Sequence, residues 1–156
     1  MMSRVKKGMI AGFAATLAVS VLELVNMMLG SPVMSFPAIV ASMLGMPGNL
    51  AVGWIAHLIS GTVILGGLFG YLCPRIPTTT PATKGIAFAI GAMVVMMTGV
   101  FLFGDPRMFR GSDGFGTIAW VLFTHAVFGV VLGNVYAALV ARERRAASMA
   151  HAQPAH

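Results

Sequence analysis

Apolar residues run almost unbroken through four stretches of the chain, residues 8–29, 50–72, 85–103 and 116–140. Each is close to the ~20 residues that carry a helix across a bilayer. The breaks between them are rich in Pro, Gly, Ser and Thr, as turns require. The pattern predicts an all-α integral membrane protein with four transmembrane helices. The two connections on the far side from the termini differ in character. Residues 31–49, SPVMSFPAIVASMLGMPGN, carry no charge, and Ser35 is placed to cap a short helix ending at Gly45 ahead of Pro47. Such a segment lies in the interface or dips back as a re-entrant helix. Residues 105–116, DPRMFRGSDGFG, read as an ordinary exposed loop.

Charge sets the expected orientation. Arg4, Lys6, Lys7, Arg75, Lys84, Arg142, Arg144 and Arg145 fall on one side of the four runs, and only Arg107 and Arg110 on the other. The positive-inside rule then places both termini in the cytoplasm. Of the 156 residues 58% are hydrophobic and 9% charged, with a mean hydropathy of +0.89. A soluble domain carries about 25% charged residues, so a water-soluble enzyme is excluded, and so is a disordered chain. The net charge of +6 sits in clusters flanking apolar runs. It reads as topology and contact with anionic lipid headgroups, not as a nucleic-acid surface. One membrane domain accounts for residues 1–156, with a disordered basic and histidine-containing tail over 141–156. The opening MMSRVKK and its apolar run imitate a signal peptide, but the run continues to Leu29 without a cleavage site, which predicts a retained first helix. Cys73 is the only cysteine, so no intramolecular disulfide or Cys-based zinc site is expected.

The halves of the chain echo each other. Lys7-Gly8 opens the first run and Lys84-Gly85 the third. Trp54, His57, Gly61 and Tyr71 lie along the second, and Trp120, His125, Gly129 and Tyr136 along the fourth. Each half reads as a helical hairpin of the same sense, an internal repeat about an axis along the membrane normal. The Trp pair suits the outer interfacial belt and the Tyr pair the inner one. The Lys-Gly start, the Gly53-Trp54-x-x-His57 helix, the Pro74-Arg75-x-Pro77 connection and the final His125-x-x-x-Gly129 helix together resemble a family of small four-span bacterial inner-membrane proteins with no assigned function. The resemblance covers nearly the whole chain. It implies the fold and a multi-pass location in the bacterial inner membrane, and no activity.

Three ionisable residues fall inside the runs, and such groups are functional candidates by default. His57 and His125 lie roughly 12 to 14 Å from the outer ends of their helices and Glu23 roughly 10 Å from its own. Gly53, His57 and Gly61 share one face of the second helix, as do His125, Gly129 and Gly133 on the fourth. Small residues on one stripe mark close helix packing, to which Gly66 and Gly70 add a GxxxG. Thr16, Ser20, Glu23 and Asn26 share a polar face of the first helix. Three readings stand open: a satisfied cluster in which Glu23 accepts from the histidines and fixes packing; His57 and His125 as axial ligands of a b-type haem; and Glu23, His57 and His125 as a divalent-metal site or proton relay.

Methionine supplies another candidate chemistry. Met27, Met28, Met34, Met43, Met46 and Met108 lie toward the outer side, with Met93, Met96 and Met97 as a helical triplet. Thioethers select Cu(I), although methionine is also a common filler of apolar cores. Asn134 is expected to hydrogen-bond across helices. Phosphate-cradle, nucleophile-elbow and HExxH motifs are absent. The function classes left are a non-enzymatic accessory, assembly or packing subunit, alone as a homo-oligomer or in a larger membrane complex; a haem or metal redox protein; and a small transporter or copper-handling protein. Absence of any cofactor is the plain alternative to the last two.

Overall fold

Each apolar run is helical in the computed structural model, which describes residues 2–103 and 109–152. The elements in order are α1 (Arg4–Met28), the short α2 (Phe36–Met43), α3 (Leu50–Arg75), α4 (Pro81–Phe103) and α5 (Gly111–Ala152), with no strand among the described residues. The helices α1, α3, α4 and α5 are each long and apolar enough to cross a membrane. Start signals are local. Ser3 Oγ accepts from the Lys6 N–H at 3.2 Å, Asn49 Oδ1 from the Val52 N–H at 3.2 Å, and Thr80 Oγ1 from the Thr83 N–H at 3.1 Å. Each thereby satisfies a first-turn donor that has no partner inside its helix. Pro81 follows Thr80 as the first residue of α4, where its missing N–H costs nothing.

The start of α1 and the end of α5 lie together. Lys7 Nζ is 2.6 Å from Glu143 Oε2, and the Met2 N–H donates to Glu143 Oε1 at 2.7 Å. We call this the terminal end and the opposite one, with α2, the loop end. At the terminal end α5 departs from expectation. It continues through residues 141–152, where a disordered tail was expected, because ARERRAASMA is composed of strong helix formers. It also begins at Gly111, inside the segment expected to be a loop to residue 116. At 42 residues it is roughly 60 Å long, about twice the hydrocarbon thickness. Asp105, Arg107 and Met108 lie outside the described residues, as does His156.

Glycine decides how the hairpins cross. A side chain on Gly8 of α1 would overlap the backbone of Gly66 and Gly70 on α3, and one on Gly85 of α4 would overlap the backbone of Gly129 and Gly133 on α5. The correspondence extends one turn further. A side chain on Gly70 would strike Arg4, four residues before Gly8, and one on Gly133 would strike Pro81, four residues before Gly85. Both hairpins thus bring backbones together at matching positions, as small residues permit. The register differs from the expected pairing of His57 with His125. With Gly66 and Gly70 opposite Gly129 and Gly133, His57 lies nine residues before Gly66 while His125 lies only four before Gly129.

A π-helical stretch, Ser60–Leu65, makes this alignment work on α3. Gly61 and Gly66 are five residues apart, one too many for an α-helical stripe. The wider π turn stacks them, so that a side chain on Gly12 would meet both. The stripe Gly53, His57, Gly61 therefore continues into Gly66 and Gly70. Gly53 faces not α1 but the Pro37 carbonyl of α2.

Two apolar cores fill the bundle. Near the terminal end Phe69, fully buried, packs edge-on to Phe88 and Tyr136. At the loop end Ile39 of α2 is fully buried with Val100, Phe109 and Val121, and Met34, Met93, Met96 and Met97 pack around them. Helix α4 is peripheral. It packs on α5 and scarcely on the others, and only 17% of its span is buried, against 39% for α1 and α5.

Candidate functional site

The loop end holds the buried polar residues, and α2 is the element that organises them. Phe36 opens α2, so its N–H has no helical acceptor. Ser35 stands at the N-cap position but makes no side-chain capping bond, contrary to expectation. The acceptor instead comes from another helix. Glu23 of α1, fully buried, accepts the Phe36 N–H on Oε2 at 3.2 Å and the Trp120 indole N–H of α5 on Oε1 at 3.0 Å. Both partners are N–H donors, which carboxyl oxygens accept. The α2 dipole points its positive end at the same group. One side chain thereby ties α1, α2 and α5 together.

The histidines are held separately. His57 of α3 is 4% exposed, with Nε2 3.2 Å from Ser20 Oγ. His125 of α5 is 8% exposed, with Nδ1 2.8 Å from the Val121 carbonyl one turn earlier. A carbonyl only accepts, so Nδ1 carries the proton and Nε2 is left as an acceptor. Neither imidazole bonds to Glu23, whose oxygens are used by Phe36 and Trp120. The expected hydrogen bonds from the imidazoles to Glu23 are not formed. Thr16 is buried beside Gly61 and donates to the Gly12 carbonyl at 2.7 Å. Asn26 is also buried on this face. Asn134 is exposed and donates within its own helix to the Val130 carbonyl at 2.9 Å, not across helices.

Phe36 also governs what lies between the histidines. Its ring meets His57 edge-on at 5.2 Å between centroids and His125 at 5.7 Å. Beside it is a cavity of about 30 Å³ reached by His57, His125, Ser60 and Thr124 and otherwise walled by apolar side chains. That is room for a water molecule or two. The Ser60 and Thr124 hydroxyls are spent on the carbonyls of His57 and Val121, each at 3.1 Å, so the imidazoles are the polar groups facing it. A haem between His57 and His125 would need the volume that Phe36 fills. Among the described residues no three His, Cys, Asp or Glu side chains converge to hold a metal, so Glu23, His57 and His125 do not form the expected ligand set. The methionines divide as well. Met28 is 85% exposed and Met43 and Met46 are exposed, whereas the α4 triplet and Met34 belong to the core.

Sequence reasoning placed Glu23 and both histidines at one level and missed Phe36 and Trp120 as their partners. The interfacial belt is the expected place for Trp120, yet its indole nitrogen turns inward. The signal for Phe36 was indirect: a helix start in an uncharged loop needs an acceptor, and Glu23 is the carboxylate at that depth.

Residues 2–147 match the model of a family described as Family of unknown function (DUF6789), and the chain belongs to that family. No curated protein and no solved structure matches the chain.

Proposed function

We propose that this member of the family is a small non-enzymatic protein of the bacterial inner membrane, formed as one membrane domain, that serves as an accessory or assembly subunit. The observation that carries the reading is the one-sided packing of α4. It rests on α5, and on its other side Gly91 and Gly99 have nothing within 4 Å while Val95 is 73% exposed. Small residues of this kind admit a neighbouring helix closely. The use of the buried ionisable groups supports a non-enzymatic role. Glu23 seats α2, and neither histidine is aligned with it as an acid or base partner. The matched glycine crossings favour two repeated hairpins, and the basic residues at the terminal end favour cytoplasmic termini.

The test is cross-linking in native membranes. In a Cys73→Ala background, Val95→Cys should yield a discrete adduct, at twice the monomer mass for a homo-oligomer or at another defined mass for a larger complex. A cysteine placed at Phe13 on α1, also exposed at 50%, should not. Absence of any adduct at position 95 would overturn the accessory reading. A Soret band lost in His57→Ala would replace it with the haem reading, and stoichiometric copper or zinc with the metal-handling one.

A further inference from the structure

The two lysines that precede the crossing glycines stand in matching places and meet different fates. Lys7, before Gly8, is paired with Glu143 at 2.6 Å. Lys84, before Gly85, has no carboxylate. Its ammonium donates to the carbonyls of Ile76 at 2.6 Å and Cys73 at 3.3 Å, where α3 ends. These acceptors are neutral. An ammonium has three donors, so one remains. Glu143 is the one acidic residue described at the terminal end, and Lys7 and the Met2 N–H already occupy it.

Lys84 borders a cavity of about 320 Å³ between the end of α3, the start of α4 and the flank of α5. Arg144 of α5 reaches the same cavity and makes no ion pair among the described residues. Thr79 and Tyr136 also line it, and Phe69 and Val140 make it apolar toward the bundle. The N-terminus of α4, at Pro81, forms part of the rim, and its aligned peptide dipoles add positive potential. Two cations thus face one cavity without a protein counter-ion. The level is that of the headgroups. Tyr71 is exposed one turn away with the Arg75 guanidinium 4.8 Å over its ring, an arrangement suited to the membrane–water boundary.

We propose that this cavity binds the phosphate of an anionic phospholipid, with Lys84 and Arg144 as its cationic ligands and an acyl chain lying along Phe69 and Val140. A basic recess between helices at the cytoplasmic side is the geometry that selects such headgroups. The apolar wall favours a lipid over a free phosphate, which would use the cations alone. The site is independent of the polar cluster at the loop end and of any partner on α4.

The test is native mass spectrometry of the full chain released from micelles, titrated with phosphatidylglycerol, with phosphatidylcholine and with inorganic phosphate. One phosphatidylglycerol is expected to bind in preference to phosphatidylcholine, and Arg144→Gln is expected to weaken it about fivefold, the effect of one basic residue near a headgroup. Arg145→Gln, next in sequence but outside the cavity, should leave the affinity unchanged. Lys84→Gln should weaken it further, but Lys84 also holds the end of α3, so Arg144, whose side chain makes no hydrogen bond among the described residues, is the deciding position. Equal losses in Arg144→Gln and Arg145→Gln would overturn the site in favour of a diffuse surface potential. Lack of preference between the two lipids would overturn it too. Full displacement of the lipid by millimolar inorganic phosphate would replace the lipid with a free anion.

Discussion

The hydrogen bond between Glu23 and Trp120 joins residues 97 positions apart and can be tested by a double-mutant cycle. Glu23→Gln keeps one carbonyl acceptor and turns an amide toward whichever donor it does not serve. Either the Phe36 N–H or the Trp120 indole N–H then loses its partner at a site where residue 23 is fully buried. Stranding one such donor costs about 1–3 kcal/mol. Trp120→Phe keeps a ring and removes the N–H, releasing one Glu23 oxygen. In the double variant the glutamine carbonyl serves Phe36 alone and no donor opposes its amide. The pair is therefore expected to be strongly non-additive. Protein hydrogen bonds contribute about 0.5–1.5 kcal/mol, while cycles inside membranes average ~0.6 and reach ~1.7. A fully buried acceptor with a half-buried donor belongs near the top of the second range, so a coupling of about 1–2 kcal/mol is expected. That is roughly a tenfold effect on the unfolding equilibrium. Reversible unfolding in mixed micelles, followed by circular dichroism, measures it. Stability losses that add to within about 0.3 kcal/mol would show that the indole and the carboxylate act independently, and the account of the loop end would fail.

Gly8→Ala and Gly85→Ala should each cost about 1–3 kcal/mol, because the methyl group would meet backbone that cannot yield locally. Gly91→Ala, in open space, should be neutral or stabilising by up to ~1 kcal/mol; comparable thermal shifts at positions 85 and 91 would refute the proposed crossing. Phe36→Ala should cost about 3–5 kcal/mol and open the space between the imidazoles to a small apolar guest. Failure of benzene to raise the melting temperature of that variant would show that the helices collapse instead. Glu143→Gln should leave Lys7 without a counter-charge and loosen the last turns of α5. Hydrogen exchange should quicken over residues 141–150 and stay unchanged near Phe69.

Much of the architecture was legible because bilayer thickness sets span length, and four apolar runs of the right size are hard to mistake. The packing glycines were legible too, since Gly66 and Gly70, or Gly129 and Gly133, recur at four-residue spacing. The five-residue step from Gly61 to Gly66 was equally visible, but a reading that assumes 3.6 residues per turn places them on different faces. Only the π turn reconciles them. Ends of helices were misjudged where ordinary helix propensity outlasts the apolar pattern, as after Val140. At the site, depth was readable from residue counts. Partners were not, because Glu23 bonds to a backbone N–H that leaves no mark on side-chain chemistry, and His125 bonds to its own helix. Nothing in the spacing of Trp120 announced that its nitrogen would turn inward.

The distance in sequence between Glu23 and Trp120 has a bearing on how the chain is made. The first helix emerges from the ribosome with its carboxyl group already among apolar residues, while the indole that will donate to it is 97 residues away. At about 5–20 residues per second, that interval is roughly 5 to 20 s. Through it, water, headgroups or the insertion machinery must satisfy the carboxyl group, and α2 has only half of its anchor. Completion of the loop end is therefore a late event in biogenesis that waits on the fourth span. A chain truncated before residue 120 should insert its first helices and still present an unfinished polar seam to the membrane's quality control.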